Sequence, residues 1–171
     1  PGYMFTDNGF WDTFRAVFPF FTLMYPELNS HIMKGLVNTY KESGWLPEWA
    51  SPGHRNAMIG SNSASIIADS YLKGIREYDI ETLYEAMIKN TKGHGPVESV
   101  GRLGAEYYNE LGYVPYDVGI NENAARTLEY AYADYCVMNV AEALDKPEAE
   151  IEKFAGRAQN YRNLFDPETK L

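Results

Sequence analysis

Three stretches of this chain are apolar or small on nearly every side at helical length. Segment 10–25 carries Phe10, Trp11, Phe14, Val17, Phe18, Phe20, Phe21, Leu23 and Met24, and Pro19 is expected to kink or restart it. Segment 58–75 mixes Met58, Ile59, Ile66, Ile67 and Leu72 with Ser61, Ser63, Ala64, Ser65 and Ala68. Segment 123–144 runs through Ala124, Leu128, Ala131, Tyr132, Tyr135, Val137, Val140 and Leu144. A helix apolar all round must be covered on all sides. Three other segments are amphipathic. In 28–43, Leu28, Ile32, Leu36 and Tyr40 recur at steps of four, and Gly44 is placed to stop the helix. In 79–91, Ile80, Leu83, Tyr84, Met87 and Ile88 share a face behind Asp79, a candidate N-cap. In 148–165, Ile151, Phe154, Ala155, Ala158, Tyr161 and Phe165 do so behind Pro147.

Buried and amphipathic helices therefore alternate along the chain, with a short helix near 100–111. No segment alternates apolar and polar residues long enough for a strand. The pattern predicts an all-α fold of inner and outer helices, as in an α/α toroid. A helical solenoid would also alternate, but it should repeat every 20–50 residues, and the inner helices do not resemble one another. A plain helical bundle is the remaining alternative. The predicted pattern places 10–25, 58–75 and 123–144 deeper than 28–43, 79–91 and 148–165.

Composition narrows the function. The net charge of −9 argues against a nucleic-acid binder, which needs a basic face. No run of 18 apolar residues exists to span a membrane. The single cysteine, Cys136, excludes a disulfide framework and reads as a core residue. His31, His54 and His94 share no metal-ligand spacing. Ser70-Tyr71-Leu72-Lys73 lacks the companion motifs of a serine nucleophile, and Gly101-Arg102-Leu103-Gly104 follows no strand that would make it a phosphate loop. The chain opens Pro1-Gly2-Tyr3 and closes at Lys170-Leu171; both ends read as interior points of a longer protein.

Aromatic residues make up 15% of the chain, and several stand beside acids. Trp11-Asp12 opens a buried segment, where the acid could also serve the helix dipole. Glu48-Trp49 repeats the pairing in the long loop 40–55, which also holds Trp45, His54 and Arg55. Asp69 and Asp134 fall within apolar segments and need partners; Arg15 and Arg126 are the candidates. Rings for the apolar faces of a pyranose, with Asp, Glu or Arg for its hydroxyls, are the equipment of a carbohydrate site. The candidate sugar-binding residues are Trp11, Asp12, Arg15, Trp45, Glu48, Trp49, His54 and Arg55.

The run Gly9-Phe10-Trp11-Asp12-Thr13-Phe14-Arg15-Ala16 resembles a segment of family 92 glycoside hydrolases, the exo-acting bacterial α-mannosidases. Further matches follow in the family's order: Gly44-Trp45-Leu46-Pro47-x-Trp49, Met58-Ile59-Gly60, and Ala68-Asp69-Ser70-Tyr71-Leu72-Lys73-Gly74. After these come Gly112-Tyr113-Val114-Pro115 and Thr127-Leu128-Glu129-Tyr130-Ala131-Tyr132-x-Asp134. The last is Arg157-Ala158-x-x-Tyr161-x-Asn163-Leu164-Phe165-Asp166-Pro167.

The resemblance implies that residues 1–171 form about the first half of an (α/α)6 catalytic barrel that a β-sandwich precedes. It implies hydrolysis of terminal α-mannosides in mannose-containing glycans, with inversion and with Ca²⁺. It implies that the general acid, the general base and the calcium ligands lie outside this segment, so that the segment alone is inactive and no catalytic or metal-binding residue is expected in it. Trp11 and Asp12 match the part of the family that shapes the terminal-mannose pocket. The stretch 48–55 departs from members with an acid just after the second Trp, which marks a loop that varies with specificity. The parent protein is expected to be bacterial and secreted, periplasmic or cell-surface, and the open half-barrel to associate with the rest of its chain or with itself. Readings from other classes are a non-catalytic carbohydrate-binding module and a structural helical module.

Overall fold

The computed structural model describes residues 2–51 and 53–170. The terminal Pro1 and Leu171, and Pro52 of the Trp-bearing loop, lie outside the described residues. Eight α-helices follow one another among the described residues: α1 (Phe10–Thr13), α2 (Val17–Met24), α3 (Pro26–Ser43), α4 (Ser63–Leu72), α5 (Ile80–Asn90), α6 (Ala105–Leu111), α7 (Asn123–Ala143) and α8 (Glu148–Arg157). A 3₁₀ turn follows at Asn160–Leu164. Two short strands, β1 (Asn8–Gly9) and β2 (Trp49–Ala50), pair antiparallel with Gly9 opposite Trp49. The fold class is all-α.

Local chemistry sets the helix ends. Gly44 stops α3 at φ 78°, its N–H donating to the Tyr40 carbonyl at 2.7 Å. Asp79 caps α5 by accepting from the Thr82 N–H at 3.0 Å. Gly104 and Gly112 bracket α6 in left-handed conformations. Helix α4 is innermost, with eight of its ten residues buried, and it packs against α7, which also contacts α5 and α8.

Two amphipathicity readings need correction. Segment 10–25 is not a deeply buried helix. It breaks between α1 and α2, and the chain restarts at Val17, so Pro19 falls in the first turn, where its missing N–H costs nothing. Phe10 and Phe18 are buried, but Phe20, Leu23 and Met24 are 50%, 78% and 55% exposed. Helix α3 in contrast buries eight residues, including Ile32, Met33, Leu36 and Val37, and so lies deeper than α2. In 148–165, α8 ends at Arg157. The tighter turn that follows breaks the helical register, so Phe154 and Ala158 are buried while Tyr161 and Phe165 are exposed.

Two apolar clusters form the interior. The larger joins α2, α3, α4, α5, α7 and α8 through Phe18, Met33, Ile67, Leu83, Met87, Val140 and Phe154. The smaller comprises Tyr108, Val114 and Tyr130. A fully buried ion pair accompanies them. Arg102 Nη2 lies 2.7 Å from Asp134 Oδ1, and both side chains are 0% exposed. Asp134 Oδ2 accepts from the Tyr108 hydroxyl at 3.1 Å, and Arg102 Nε donates to Ser61 Oγ at 3.3 Å. The Arg102–Asp134 contact is an ion pair without aligned hydrogen-bond geometry, and Arg102 Nη1 finds no acceptor.

Asp134 is thus paired by Arg102, not by Arg15 or Arg126. Arg126 sits eight residues back on the same helix, about 12 Å along its axis. Asp69 pairs with Lys73 at 2.7 Å and accepts from Thr22 at 3.3 Å, where the helix edge meets solvent. Cys136 is buried, and desolvation pushes its thiol up to about 12.

Truncating one member of a buried pair leaves an uncompensated charge. Asp134→Leu or Arg102→Met alone is expected to cost about 3–5 kcal/mol, read as a fall in the urea midpoint. The double replacement should recover most of that loss. A single variant with an unchanged midpoint contradicts this role for the pair.

Candidate functional site

The loops before α4, α6 and α7 converge on a cavity of about 430 Å³. Trp11 of α1, Asn56, Ala57, Met58 and Ile59 before α4, Glu98 and Ser99, and Glu122 and Arg126 at the start of α7 line it. Hydrogen bonds tie two of these loops together. The Ser99 N–H donates to Asn56 Oδ1 at 3.1 Å, and Ser99 Oγ donates to the Arg55 carbonyl at 3.0 Å. Met58 and Glu122 both hold positive φ, 69° and 58°. Such conformations are costly for residues with side chains and cluster at functional sites.

The cavity has an aromatic wall, an aliphatic wall and a polar rim. Arg126 is buried; its Nε donates to the Asn121 carbonyl at 2.9 Å, and its Nη2 lies 3.8 Å from Glu122 Oε2. That loose pairing leaves guanidinium N–H groups for a ligand oxygen. A second cavity shares Glu98, Glu122 and Arg126 with the first.

The residues expected from the sequence divide. Trp11 lines the cavity. Its indole Nε1 donates to Glu129 Oε1 at 3.0 Å. Arg15 stacks behind it, with its guanidinium carbon 4.1 Å from the ring centre. Asp12 occupies the first turn of α1 and is exposed, and the helix has no side-chain cap. Trp45 packs into the 93–101 loop, where a Cβ on Gly101 would lie 3.0 Å from its ring, and Lys89 Nζ is 4.8 Å from its centre. Trp49 lies against Gly9, where a Cβ would come 3.0 Å from its ring, with Arg55 stacked 4.6 Å from its centre. The ring nitrogens of His54 are buried without partners, and desolvation lowers its pKa. None of Asp12, Arg15, Trp45, Glu48, Trp49, His54 or Arg55 is among the residues lining this cavity.

Glu48, a candidate sugar-binding residue from the sequence, is engaged by the protein itself. It is fully buried at the N-terminus of α4. Its carboxyl accepts from the Asn62 N–H at 2.6 Å, the Ser63 N–H at 3.3 Å and Ser63 Oγ at 2.8 Å. These donors match the unpaired N–H groups and positive end of a helix start. Desolvation outweighs them and raises the carboxyl from 4.5 to about 8.

Sequence reasoning missed Arg126, Met58, Ser99, Glu98 and Glu122 as cavity residues. The available signal was the pair of Met58 and Glu122 beside Gly60 and Asn121 in turns before helices, but a left-handed Met or Glu cannot be read from residue type.

Comparison with known proteins gives a consistent result. The family model described as the glycosyl hydrolase family 92 catalytic domain matches residues 1–171. A curated relative from Arthroderma benhamiae, called an uncharacterized secreted glycosidase, is 39% identical over 140 residues, covering 76% of this chain and 18% of its own. Among solved structures, an inverting family 92 mannosidase from Bacteroides thetaiotaomicron superposes with a TM-score of 0.94 at 53% identity, over 99% of this chain and 23% of its own. A family 92 α-mannosidase from the same organism, in complex with mannoimidazole, gives a TM-score of 0.88 at 36% identity, over 99% of this chain and 22% of its own. The chain therefore spans less than a quarter of the length of each of these proteins.

The folded-state carboxyl of Glu48 titrates above its unfolded value, so the native chain keeps its proton longer. The stability this contributes is complete below about 4.5 and is lost as pH rises toward about 8. Glu48→Gln cannot ionise. Its destabilisation relative to wild type should therefore be larger at pH 5 than at pH 8.5 in urea unfolding. An equal or greater penalty at pH 8.5 contradicts the buried-acid assignment.

Proposed function

The chain belongs to glycosyl hydrolase family 92, and from that premise we propose that it is part of an exo-acting α-mannosidase that removes terminal α-linked mannose from glycans with inversion. The observation that carries this reading is the cavity beside α1, α4 and α7, with an indole wall at Trp11 and a guanidinium at Arg126. An indole face suits the C–H face of a pyranose, and Arg suits its hydroxyls. In this reading Trp11 and Arg126 hold the terminal sugar in the cavity, and Asp12, exposed beside Trp11 and outside the lining, is assigned to the same sugar on the family resemblance. Trp45, Trp49, His54 and Arg55 shape the loop beside them, and Arg15 backs Trp11.

Inversion requires an acid and a base roughly 6.5–9.5 Å apart, so that water can attack opposite the leaving oxygen. We assign both to parts of the longer protein other than this chain, as the resemblance implies, and expect residues 1–171 alone to be inactive. Calcium enters on the same ground. Its ligands are assigned to other parts of the longer protein, and no step is routed through it. The exposed Phe20, Leu23 and Met24 of α2, and Leu128, Tyr132 and Tyr135 of α7, are surfaces for the rest of the barrel or for self-association. No described helix is long and apolar enough to cross a membrane. The secreted relative supports action outside the cell, with the bacterial surface and periplasm as the other locations in this reading.

The test is steady-state hydrolysis of an aryl α-mannoside, with Ca²⁺ supplied, by the longer protein carrying this segment. Asp12→Asn and Arg126→Met each remove a charge-assisted hydrogen bond worth about 1.5–3 kcal/mol. Each should lower kcat/KM by roughly 10- to 150-fold. Unchanged kcat/KM in both variants contradicts the sugar-holding role. Turnover by residues 1–171 alone contradicts assigning the acid and base elsewhere.

A further inference from the structure

The Trp11 ring is not simply one side of a cavity; it is clamped. Its indole Nε1 donates to Glu129 Oε1 at 3.0 Å. Arg15 Nη2 lies 3.3 Å from the same oxygen, while Arg15 Nη1 donates to the Trp11 carbonyl. The Arg15 guanidinium also lies over the Trp11 ring and 4.4 Å from the centre of the Phe14 ring. One carboxylate oxygen thus fixes both the edge of the indole and the cation on its face.

Glu129 comes from α7, 118 residues beyond Trp11, so the clamp forms only when α1 and α7 are docked. Its side chain is 16% exposed. Burial pushes its carboxyl above the ordinary value, and the Trp11 and Arg15 donors oppose that shift. Gly60 closes over its stem. At φ 98°, a Cβ on Gly60 would lie 3.1 Å from Glu129 Cβ, and the same turn supplies Met58 and Ile59 to the cavity wall. Glu129 is not among the cavity-lining residues, so any influence on a ligand passes through Trp11 and this turn.

We propose that Glu129 is a positioning residue: through its bond to the indole and its contact with Arg15 it sets the orientation of Trp11, and so the ring surface offered to a pyranoside. This rests on the reading of the cavity as a mannoside site and adds the residue that gives its aromatic wall a fixed orientation. A free indole would have to give up rotamer freedom on binding, and a pre-set one does not.

The indole N–H resonances of the ¹⁵N-labelled chain provide the test. Three are expected, from Trp11, Trp45 and Trp49, and Trp11→Phe identifies the first. In Glu129→Ala the Trp11 resonance should move upfield while those of Trp45 and Trp49 hold, which also verifies folding. Glu129→Gln keeps a neutral acceptor at the same reach and should lie between. Titration with methyl α-mannoside, followed on Trp11, should show about tenfold weaker binding in Glu129→Ala, the scale of one lost charge-assisted hydrogen bond, with partial rescue in Glu129→Gln. A Trp11 resonance unmoved by Glu129→Ala overturns the inference. So does wild-type affinity in that variant when the wild-type chain responds to the sugar. No response to the sugar in the wild-type chain, with the Trp11 resonance still moved by Glu129→Ala, overturns the mannoside reading and leaves the positioning of Trp11 by Glu129 standing.

Discussion

A buried arginine sets the terms for this structure. Arg102 and Asp134 are completely withdrawn from solvent, and two charges in that position each cost several kcal/mol unless geometry and extra hydrogen bonds compensate. The chain supplies part of this from separate elements: one hydrogen bond to Ser61 before α4, one from Tyr108 on α6, and the ion pair with Asp134 on α7. Arg102 is delivered by a loop whose neighbours Gly101 and Gly104 both take positive φ. A side chain at Gly101 would collide with the Gly93 carbonyl, so the loop can close only with glycine there.

The polar spine continues past Ser61. Asn62 and Ser63 bind the buried Glu48, which anchors the loop carrying Trp49 to the start of α4. The cavity is assembled from segments adjoining this spine: 56–59 leads into Ser61, 98–99 leads into Arg102, and Glu122 and Arg126 open the helix that carries Asp134. Polar groups that gain little net stability can still fix which loops meet, and here those loops wall a cavity next to Trp11. Rigid helices under a loop-built site are a common division of labour.

Residue pattern made the helices legible because their ends follow local rules: Gly44, Asp79 and Gly112 act where their side chains, or the lack of one, predict. It made α4 legible because small and apolar residues fill every face of it. It misjudged 10–25 because apolarity states what a face prefers to touch, whereas Phe20 and Leu23 remain uncovered among the described residues. The pairing of Asp134 was hidden for a related reason. An acid in an apolar helix announces that it needs a partner, but only tertiary structure brings in a loop arginine 32 residues upstream. In the site, Trp11 stood out by its neighbours and the family motif, while nothing in the residues around Glu129 points to a partner 118 positions away. Glu48 looked like a sugar ligand because adjacency to Trp49 says nothing about burial.

The proposed function puts a terminal mannose unit in the cavity walled by Trp11 and Arg126. The most direct measurement is a crystal structure of the chain with mannoimidazole, the compound bound by a family 92 relative of similar fold. The sugar ring is expected on the part of Trp11 that lines the cavity, with a hydroxyl within hydrogen-bond reach of Arg126. Density for the ligand against Trp45 or Trp49, with the Trp11 cavity empty, would contradict it.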